Sequence, residues 1–298
     1  MEVTVSGNAV ILSGPVVGDE MAKLRNALSQ NPEINLIILR NSHGGHAPTG
    51  YQVGELIREK GMLTAVSGYC ISSCSRMFLG GKQRLFTDDY PPAQTFVGFH
   101  GHYDAAGRLD SQSVARQGLY AWIIKYSDGK ADEALVRRWI NIQRNTGAAN
   151  FYHPDLAVTR KSSVFFCEGN EPRRPLGCEP LTTNALERGV MTDTRRISSP
   201  DQATLPHRLR ALQHPASGYA AMDDAGKVPL DVTEGINAYQ QFLDSVLPRA
   251  FAVAASRRHW AWNTGTENAV DEAVRRCALR AGQSCKLYAV DDAVVYQP

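Results

Sequence analysis

Along the first hundred positions, segments in which every second residue is apolar, or nearly all are, alternate with segments in which apolar residues recur every three or four positions. On either side of Gly7-Asn8, apolar and polar residues alternate in "EVTVSGNAVILSG", which predicts a β-hairpin. Apolar residues recur three and four positions apart in "GDEMAKLRNALSQ", which predicts a helix. Nearly continuous apolar runs, typical of strands buried on both faces, follow in "INLIILRN" and "LTAVSG". This alternation of strands and helices predicts an α/β domain with a largely parallel sheet.

The pattern changes twice further along the chain. Residues 119–145 are helical in pattern, with a break at Asp128-Gly129, and "LTTNALERGVMTD" predicts a short helix that ends at Gly189. Residues 198–230 are rich in Pro, Ser, Ala and Asp and have weak periodicity. We therefore predict a first domain over 1–197, a linker over 198–230 and a small α+β domain over 231–298.

Composition indicates an ordinary globular protein, with 43% hydrophobic and 21% charged residues among 298. The net charge of +2 and the absence of a long basic run argue against a nucleic-acid partner. No apolar run is long enough for a membrane helix. The first residues alternate like a strand and lack the basic start of an export signal. The chain is then either cytosolic or a mature exported chain whose signal was removed.

The six cysteines fall into three close pairs, which favours the exported alternative. These pairs are Cys70/Cys74, Cys167/Cys178 and Cys277/Cys285. An even count in local pairs suits disulfides, which need an oxidising compartment such as the periplasm or the cell exterior. Zinc would compete for the thiols, but the C-x2-C spacing is absent, and free buried thiols are the other alternative.

Three predicted strands end in residues suited to acyl transfer. "RNSHGG" places Gly44 and Gly45 after a buried strand, where backbone N–H groups can approach a ligand closely. "LTAVSG" leads into a turn that presents Ser72 beside the free N–H groups of a helix start. "TFVGFH" ends in His100, a candidate general base. Together they predict a serine nucleophile with a base and an oxyanion site.

Each of these residues also has a purely structural interpretation. Ser72 can be a helix N-cap, and Ser73 and Ser75 compete with it for either role. His100 can be a histidine satisfied at a strand end.

Metal binding is a rival interpretation of the same strand ends. "HGGH" supplies His43 and His46, and "HGH" supplies His100 and His102. Two to four imidazoles could bind zinc. Because there is no HExxH helix and no evident carboxylate partner, we expect no metal. We also expect no cofactor.

These segments together resemble a known family. "LIILRNSHGGHAPTGYQVGELIREKGMLTAVSGYCISSCSRMFLGGKQR", the later "VGFH" and "LTTNALERGV" are similar to the ClpP/crotonase superfamily, and more narrowly to exported bacterial ClpP-like proteins. The resemblance covers residues 2–193 and implies a core of repeated β-β-α units. By that resemblance Ser72 is the nucleophile, His100 the base, and the N–H groups of Gly44 and Ser73 the oxyanion donors.

The chain departs from the family pattern at two points. His43 stands where the peptidases usually have proline, and no aspartate lies about a dozen residues before Gly189. The remaining candidates for orienting His100 are Glu179, Glu171 and Asp155.

The resemblance also implies a disulfide between Cys70 and Cys74, which bracket Ser72 in "CISSC". The alternative is a pair of small buried residues under the helix. Crotonase-type relatives use the same fold for acyl-CoA chemistry without a serine, so the fold alone does not fix the reaction.

The sequence thus predicts an exported serine hydrolase that acts on peptides or proteins and forms a homo-oligomer. A non-catalytic binding or scaffold protein and an acyl-CoA enzyme are the alternatives. In the small domain, "HWAW" predicts a turn whose Trp260 and Trp262 either face a glycan or peptide or pack on the core.

Overall fold

The computed structural model of the protein describes residues 1–90, 92–171, 177–201, 210–243, 245, 248–266 and 268–298. These residues form two compact units, Met1–Gln202 and Ala203–Pro298. The domain boundaries at 197 and 230 stay a prediction, and residues 202–209 of the predicted linker lie outside the described residues.

The described part of the first unit carries one large mixed sheet with helices packed against it. Its strands are β1 (Glu2–Ser6), β2 (Ala9–Ser13), β3 (Leu36–Ser42), β4 (Leu63–Ile71), β5 (Gln83–Thr87), β6 (Phe96–Phe99), β7 (Ala148–Tyr152), β8 (Val164–Cys167), β9 (Glu179–Pro180) and β10 (Arg196–Ile197). Its helices are α1 (Glu20–Gln30), α2 (Ala47–Glu59), α3 (Ser73–Gly80), α4 (Ser111–Arg116), α5 (Leu119–Tyr126), α6 (Glu133–Ile140) and α7 (Leu156–Arg160).

The sheet is parallel at its centre and antiparallel at its outer strands. β2, β3 and β4 pair in parallel, while β1 pairs antiparallel with β2, and β7, β8 and β9 continue antiparallel beyond β6. β4 pairs with β5 through its first residues and with β6 through Tyr69, Cys70 and Ile71. The predicted α/β class is therefore present, but the sheet is mixed rather than largely parallel.

Two helices next to the centre of the sheet touch through their backbones. A Cβ at Gly50 of α2 would lie 2.5 Å from the Ser73 carbonyl oxygen, and one at Gly54 would lie 2.7 Å from that of Arg76. Such contacts exclude any larger side chain. They fix α3 against α2 just after the strand end that carries Ser72.

The segment "LTTNALERGV" forms turns instead of the predicted helix. The Asn184 side chain accepts hydrogen bonds from the N–H groups of Leu186 and Glu187, and the chain reverses at Gly189 with φ +64°. Side-chain acceptors of this kind compete with the helical hydrogen bonds. The helix prediction was wrong for this reason.

The second unit is a small α+β unit. Its described elements include α8 (Thr233–Leu243), α9 (Ala269–Ala281), β11 (Arg249–Ala254), β12 (Trp260–Thr264), β13 (Cys285–Val290) and β14 (Ala293–Val294). The antiparallel strand order is β12-β11-β13-β14. Trp260 and Trp262 lie on strand β12 rather than in a turn, and both are half-buried against the core that contains Phe242 and Phe251. Their structural interpretation as core-packing residues fits this arrangement.

Candidate active site

Ser72 occupies the sharp turn between β4 and α3 in an unusual backbone conformation. Its φ is +61° and its ψ is −125°, a region that a residue with a Cβ rarely adopts. The surroundings hold it there: its N–H donates to the Gly98 carbonyl at 3.0 Å, and its carbonyl accepts from the Ser75 N–H at 3.0 Å and the Ser75 Oγ at 2.6 Å. Strain that its neighbours maintain is common at functional sites.

The three adjacent serines have different environments. Ser73 and Ser75 are buried, and the Ser75 hydroxyl is used on the Ser72 carbonyl. Ser72 is half-exposed, and its side chain makes no capping hydrogen bond to the helix that follows. Among the three, Ser72 is thus the hydroxyl open to an incoming ligand, and the N-cap interpretation does not describe it.

Gly44 lies directly against the Ser72 turn. A Cβ at Gly44 would lie 2.6 Å from the Ser72 Cβ and 3.0 Å from the Ser73 nitrogen, and the φ of Gly44 is +87°. Only glycine allows this close approach in this conformation. The amides of Gly44 and Ser73 are therefore neighbours, although the Gly44 N–H donates to Ser42 Oγ at 3.2 Å.

His100 follows β6, whose end lies beside the end of β4. Ile71 of β4 pairs with Gly98 of β6 in the parallel register. Ser72 therefore comes one residue after that pair on its strand, and His100 comes two residues after it on the neighbouring strand. The His100 Nδ1 lies 2.9 Å from the Gly101 carbonyl oxygen. Because a carbonyl only accepts, Nδ1 carries the proton and Nε2 keeps its lone pair. That is the tautomer a general base requires.

The surroundings of His100 disfavour its charged form. Burial, together with the positive charge of Arg76, lowers the pKa of His100 to about 3. No hydrogen bond joins the described side chains of Ser72 and His100, and such bonds often shorten only when substrate binds. In this structure His100 is a neutral, weakly basic imidazole.

The three carboxylates considered for orienting His100 have other partners. Glu179 pairs with Arg138, Glu171 accepts from the N–H groups of Glu168 and Gly169, and Asp155 pairs with Arg196 and His153. Within the described residues, none of the three bonds to His100. The carbonyl of Gly101 occupies the position where a carboxylate would act.

Arg76 was not identified from the sequence as part of this region. It lies on α3, four residues after Ser72, and is 2% exposed. Its guanidinium lies 5.1 Å from the centre of the Tyr51 ring, and the Tyr51 hydroxyl is 3.0 Å from His102 Nε2. A charged residue inside the otherwise apolar "RMFLGG" was the available signal.

The histidines of the zinc alternative have separate partners. His43 packs on the Tyr69 ring with centroids 4.5 Å apart, and His46 Nδ1 lies 2.8 Å from Thr49 Oγ1. His102 Nδ1 lies 2.9 Å from Ser113 Oγ. In the part of the chain that the structure describes, no three His, Cys, Asp or Glu side chains converge on a possible metal position.

All three cysteine pairs are disulfide-bonded in the structure. Cys70–Cys74 spans the Ser72 turn with its Cα atoms 5.2 Å apart, and the others are Cys167–Cys178 and Cys277–Cys285. Such bonds persist mainly in oxidising compartments. Among the described helices, none is both long and apolar enough to cross a bilayer.

Comparison with known proteins gives distant structural likenesses only. No protein family model matches the chain, and no curated protein matches it. ClpP1 from Listeria monocytogenes is 14% identical with a TM-score of 0.41, and a mutant of that ClpP1 is 13% identical with a TM-score of 0.40. Both likenesses cover 65% of this chain and 93% of the other.

A mutant of the 1510-N membrane-bound stomatin-specific protease is 12% identical with a TM-score of 0.36, covering 67% of this chain and 82% of the other. At these identities and TM-scores, none of the likenesses carries an argument about the activity of this chain.

Proposed function

We propose that the first unit is a ClpP-like serine hydrolase that acts on peptides or proteins in the periplasm or outside the cell. The observation that carries this proposal is the half-exposed Ser72, held in a strained conformation at a strand–helix turn with the backbone of Gly44 against it. The sequence resemblance of the same segments supports it.

In this mechanism Ser72 Oγ attacks the acyl carbon while its proton moves to His100 Nε2. The N–H groups of Gly44 and Ser73 stabilise the oxyanion, the former after release from Ser42. His100 then returns the proton to the leaving group, and water releases the acyl group from Ser72 by the same steps. The expected homo-oligomer is part of the proposal and follows from the resemblance alone.

The test is labelling of the purified, oxidised protein by a fluorophosphonate probe. We expect wild-type protein to label, and Ser72→Ala and His100→Gln to lose at least about 99% of the labelling rate, given the 10²- to 10⁴-fold contribution of such groups. Ser29→Ala and His259→Gln, both at exposed positions, are the matched controls. Labelling that persists in Ser72→Ala would overturn the assignment of the nucleophile.

A binding or scaffold protein without catalysis is the second candidate. It is favoured by the lowered pKa of His100, caused first by burial and then by Arg76, and by the lack of a carboxylate bonded to His100 among the described residues. Folded, oxidised wild-type protein that does not label would support it. A cytosolic acyl-CoA enzyme is disfavoured by the three disulfides.

A further inference from the structure

Arg76 carries a buried charge without an anionic partner. Among the described residues, its Nε and Nη1 have no hydrogen-bond partner and no carboxylate pairs with it, although Tyr51 forms a side-chain hydrogen bond with it. Burial lowers the pKa of Arg76, with Tyr51 opposing that effect. An unpaired buried charge costs several kcal/mol, so a protein that keeps one usually needs it for something other than stability.

The groups around Arg76 add no compensating negative charge. His100 and His102 both have lowered pKa values, about 3 and about 4, because of burial and then of Arg76. Asp110 acts on His102 from a distance, but its side chain caps α4 by accepting from the Ser113 N–H. The cluster therefore has a net positive charge.

Other polar atoms in the same place are also unused. Trp122 packs edge-on against Tyr51 with ring centroids 5.5 Å apart, and in the described part of the chain its Nε1 has no partner. The Ser73 hydroxyl, on the same helix as Arg76, has none either. A Cβ at Gly54 would touch both Trp122 and the carbonyl of Arg76, which places those two residues side by side. The unused donors of Arg76 and Trp122 thus belong to two residues that both contact Tyr51, and such donors are suited to bind an anion.

The cluster is buried and is joined to Ser72 through helix α3. Tyr51, whose ring lies 5.1 Å from the guanidinium, is 8% exposed, and His102, which its hydroxyl contacts, is 6% exposed. Four helical residues correspond to about 6 Å along the helix axis, so the backbone of Arg76 lies about one turn beyond that of Ser72. A carboxylate a few bonds from the reacting acyl carbon could reach Arg76 after Tyr51 turns aside.

We propose that Arg76 binds the carboxylate of the substrate and makes the site selective for acyl groups that carry an acidic side chain. The bound carboxylate would also offset the charge of Arg76 beside His100, and so favour the protonated imidazole that forms during the reaction. The selectivity for acidic acyl groups rests on the proposed hydrolase function. The binding of a carboxylate by Arg76 does not depend on it.

The binding test uses Ser72→Ala protein, so that no turnover occurs, and isothermal titration with two matched ligands. These are N-acetyl-glutamate α-amide and N-acetyl-glutamine α-amide, which differ only in the side-chain charge. We expect the glutamate compound to bind at least about tenfold more tightly, as one charge-assisted hydrogen bond gives. Arg76→Met should abolish this preference, and Arg76→Lys should retain part of it.

A third ligand, N-acetyl-alanine with a free α-carboxylate, separates the source of the anion. If this compound binds more tightly than its α-amide, and the difference disappears in Arg76→Met, Arg76 binds a terminal carboxylate and the acidic-side-chain assignment is overturned. Equal binding of the glutamate and glutamine compounds, or a preference that survives in Arg76→Met, would overturn the proposal altogether.

Imidazole resonances give an independent readout in the same Ser72→Ala protein. The pKa of His100 should rise when the glutamate compound binds, and should not rise in Arg76→Met. A glutamate preference in protein whose wild-type form does not label with fluorophosphonate would leave the carboxylate site standing while the hydrolase fails. Labelling without a glutamate preference would give the opposite result.

Discussion

Two buried arginines in the first unit have opposite environments. Arg40, at the end of β3, donates to Ser67 Oγ, Ser199 Oγ and Asp201, and Asp89 lies 3.6 Å away. Although burial opposes its charge, Asp201 and Asp89 raise the pKa of Arg40, whereas burial lowers that of Arg76.

The difference separates a structural charge from one available to a ligand. The Arg40 network ties the segment after β10 to the end of β3, and every guanidinium nitrogen of Arg40 is used. Arg76 contacts Tyr51 of α2 but, among the described residues, leaves two of its nitrogens without a partner, one helical turn after the candidate nucleophile. Burial alone therefore does not indicate the role of an arginine, whereas its partners do.

The largest effect is expected for Arg40→Met. It leaves Asp89, 1% exposed, without its cationic partner, so the free energy of unfolding should fall by about 3–5 kcal/mol. Urea denaturation followed by circular dichroism measures it. A loss below about 1 kcal/mol would show that the network adds little stability.

The matched change, Arg76→Met, should act in the opposite direction. Replacing an unpaired buried charge with an apolar side chain of similar length should leave the free energy of unfolding unchanged or raise it by up to about 4 kcal/mol. The same denaturation experiment measures it. A clear loss of stability would mean that Arg76 has a partner in solution that compensates its charge.

Gly54→Ala tests the close contact that positions Arg76. The added methyl would lie 2.7 Å from the Arg76 carbonyl oxygen and 3.0 Å from Trp122 Cζ2. We therefore expect the free energy of unfolding to fall by about 1–3 kcal/mol. Gly226→Ala in the second unit is the control, because its nearest neighbour is the Asp224 Oδ1 at 3.4 Å. Equal melting temperatures for both variants would contradict the close α2–α3 contact.

The buried neutral His100 should make the fold sensitive to acid. Its pKa, about 3 because of burial and Arg76, lies below the ordinary value of about 6.5, so the unfolded chain binds the proton more readily. The stability that the folded state gains by holding His100 neutral is complete above about pH 6.5 and is lost as the pH falls toward 3. Over that range, the melting temperature of His100→Asn should fall less steeply with decreasing pH than that of wild type or His259→Asn. Identical slopes of melting temperature against pH would refute the role of His100 in acid sensitivity.

The smallest effect is expected for Glu179→Gln. Its partner Arg138 is solvent-exposed, and exposed ion pairs contribute at most about 1 kcal/mol. Because Glu179 does not bond to His100 among the described contacts, fluorophosphonate labelling should stay within about twofold of wild type. A tenfold loss of labelling would instead restore Glu179 as the group that orients His100.

The first hundred residues were the most predictable part of the fold. The hairpin around Gly7-Asn8 and the central strands follow from strong local periods, and the structure has them. β7 and β8 were missed because their short aromatic runs, "AANFY" and "VFFC", have no period, and their antiparallel pairing depends on distant residues.

The site was only partly accessible from the sequence. Strand ends indicated Ser72, Gly44 and His100, whose roles stay predictions. The hydrogen bond from His100 to the carbonyl of Gly101 depends on side-chain orientation, which no local pattern encodes. The position of Arg76 beside His102 depends on how α3 packs on α2, which the sequence does not reveal.

The bridge between Cys70 and Cys74 closes a very short loop, with a sequence separation of four. In the chain-entropy picture, a loop of this length restricts the unfolded chain by only about 2 kcal/mol. That is close to the roughly 1–3 kcal/mol cost of a residue held in a sparsely populated conformation, as Ser72 is. The covalent bond and the strained turn that it spans therefore nearly cancel in the folding equilibrium, and what remains is a rigid local geometry at almost no net cost.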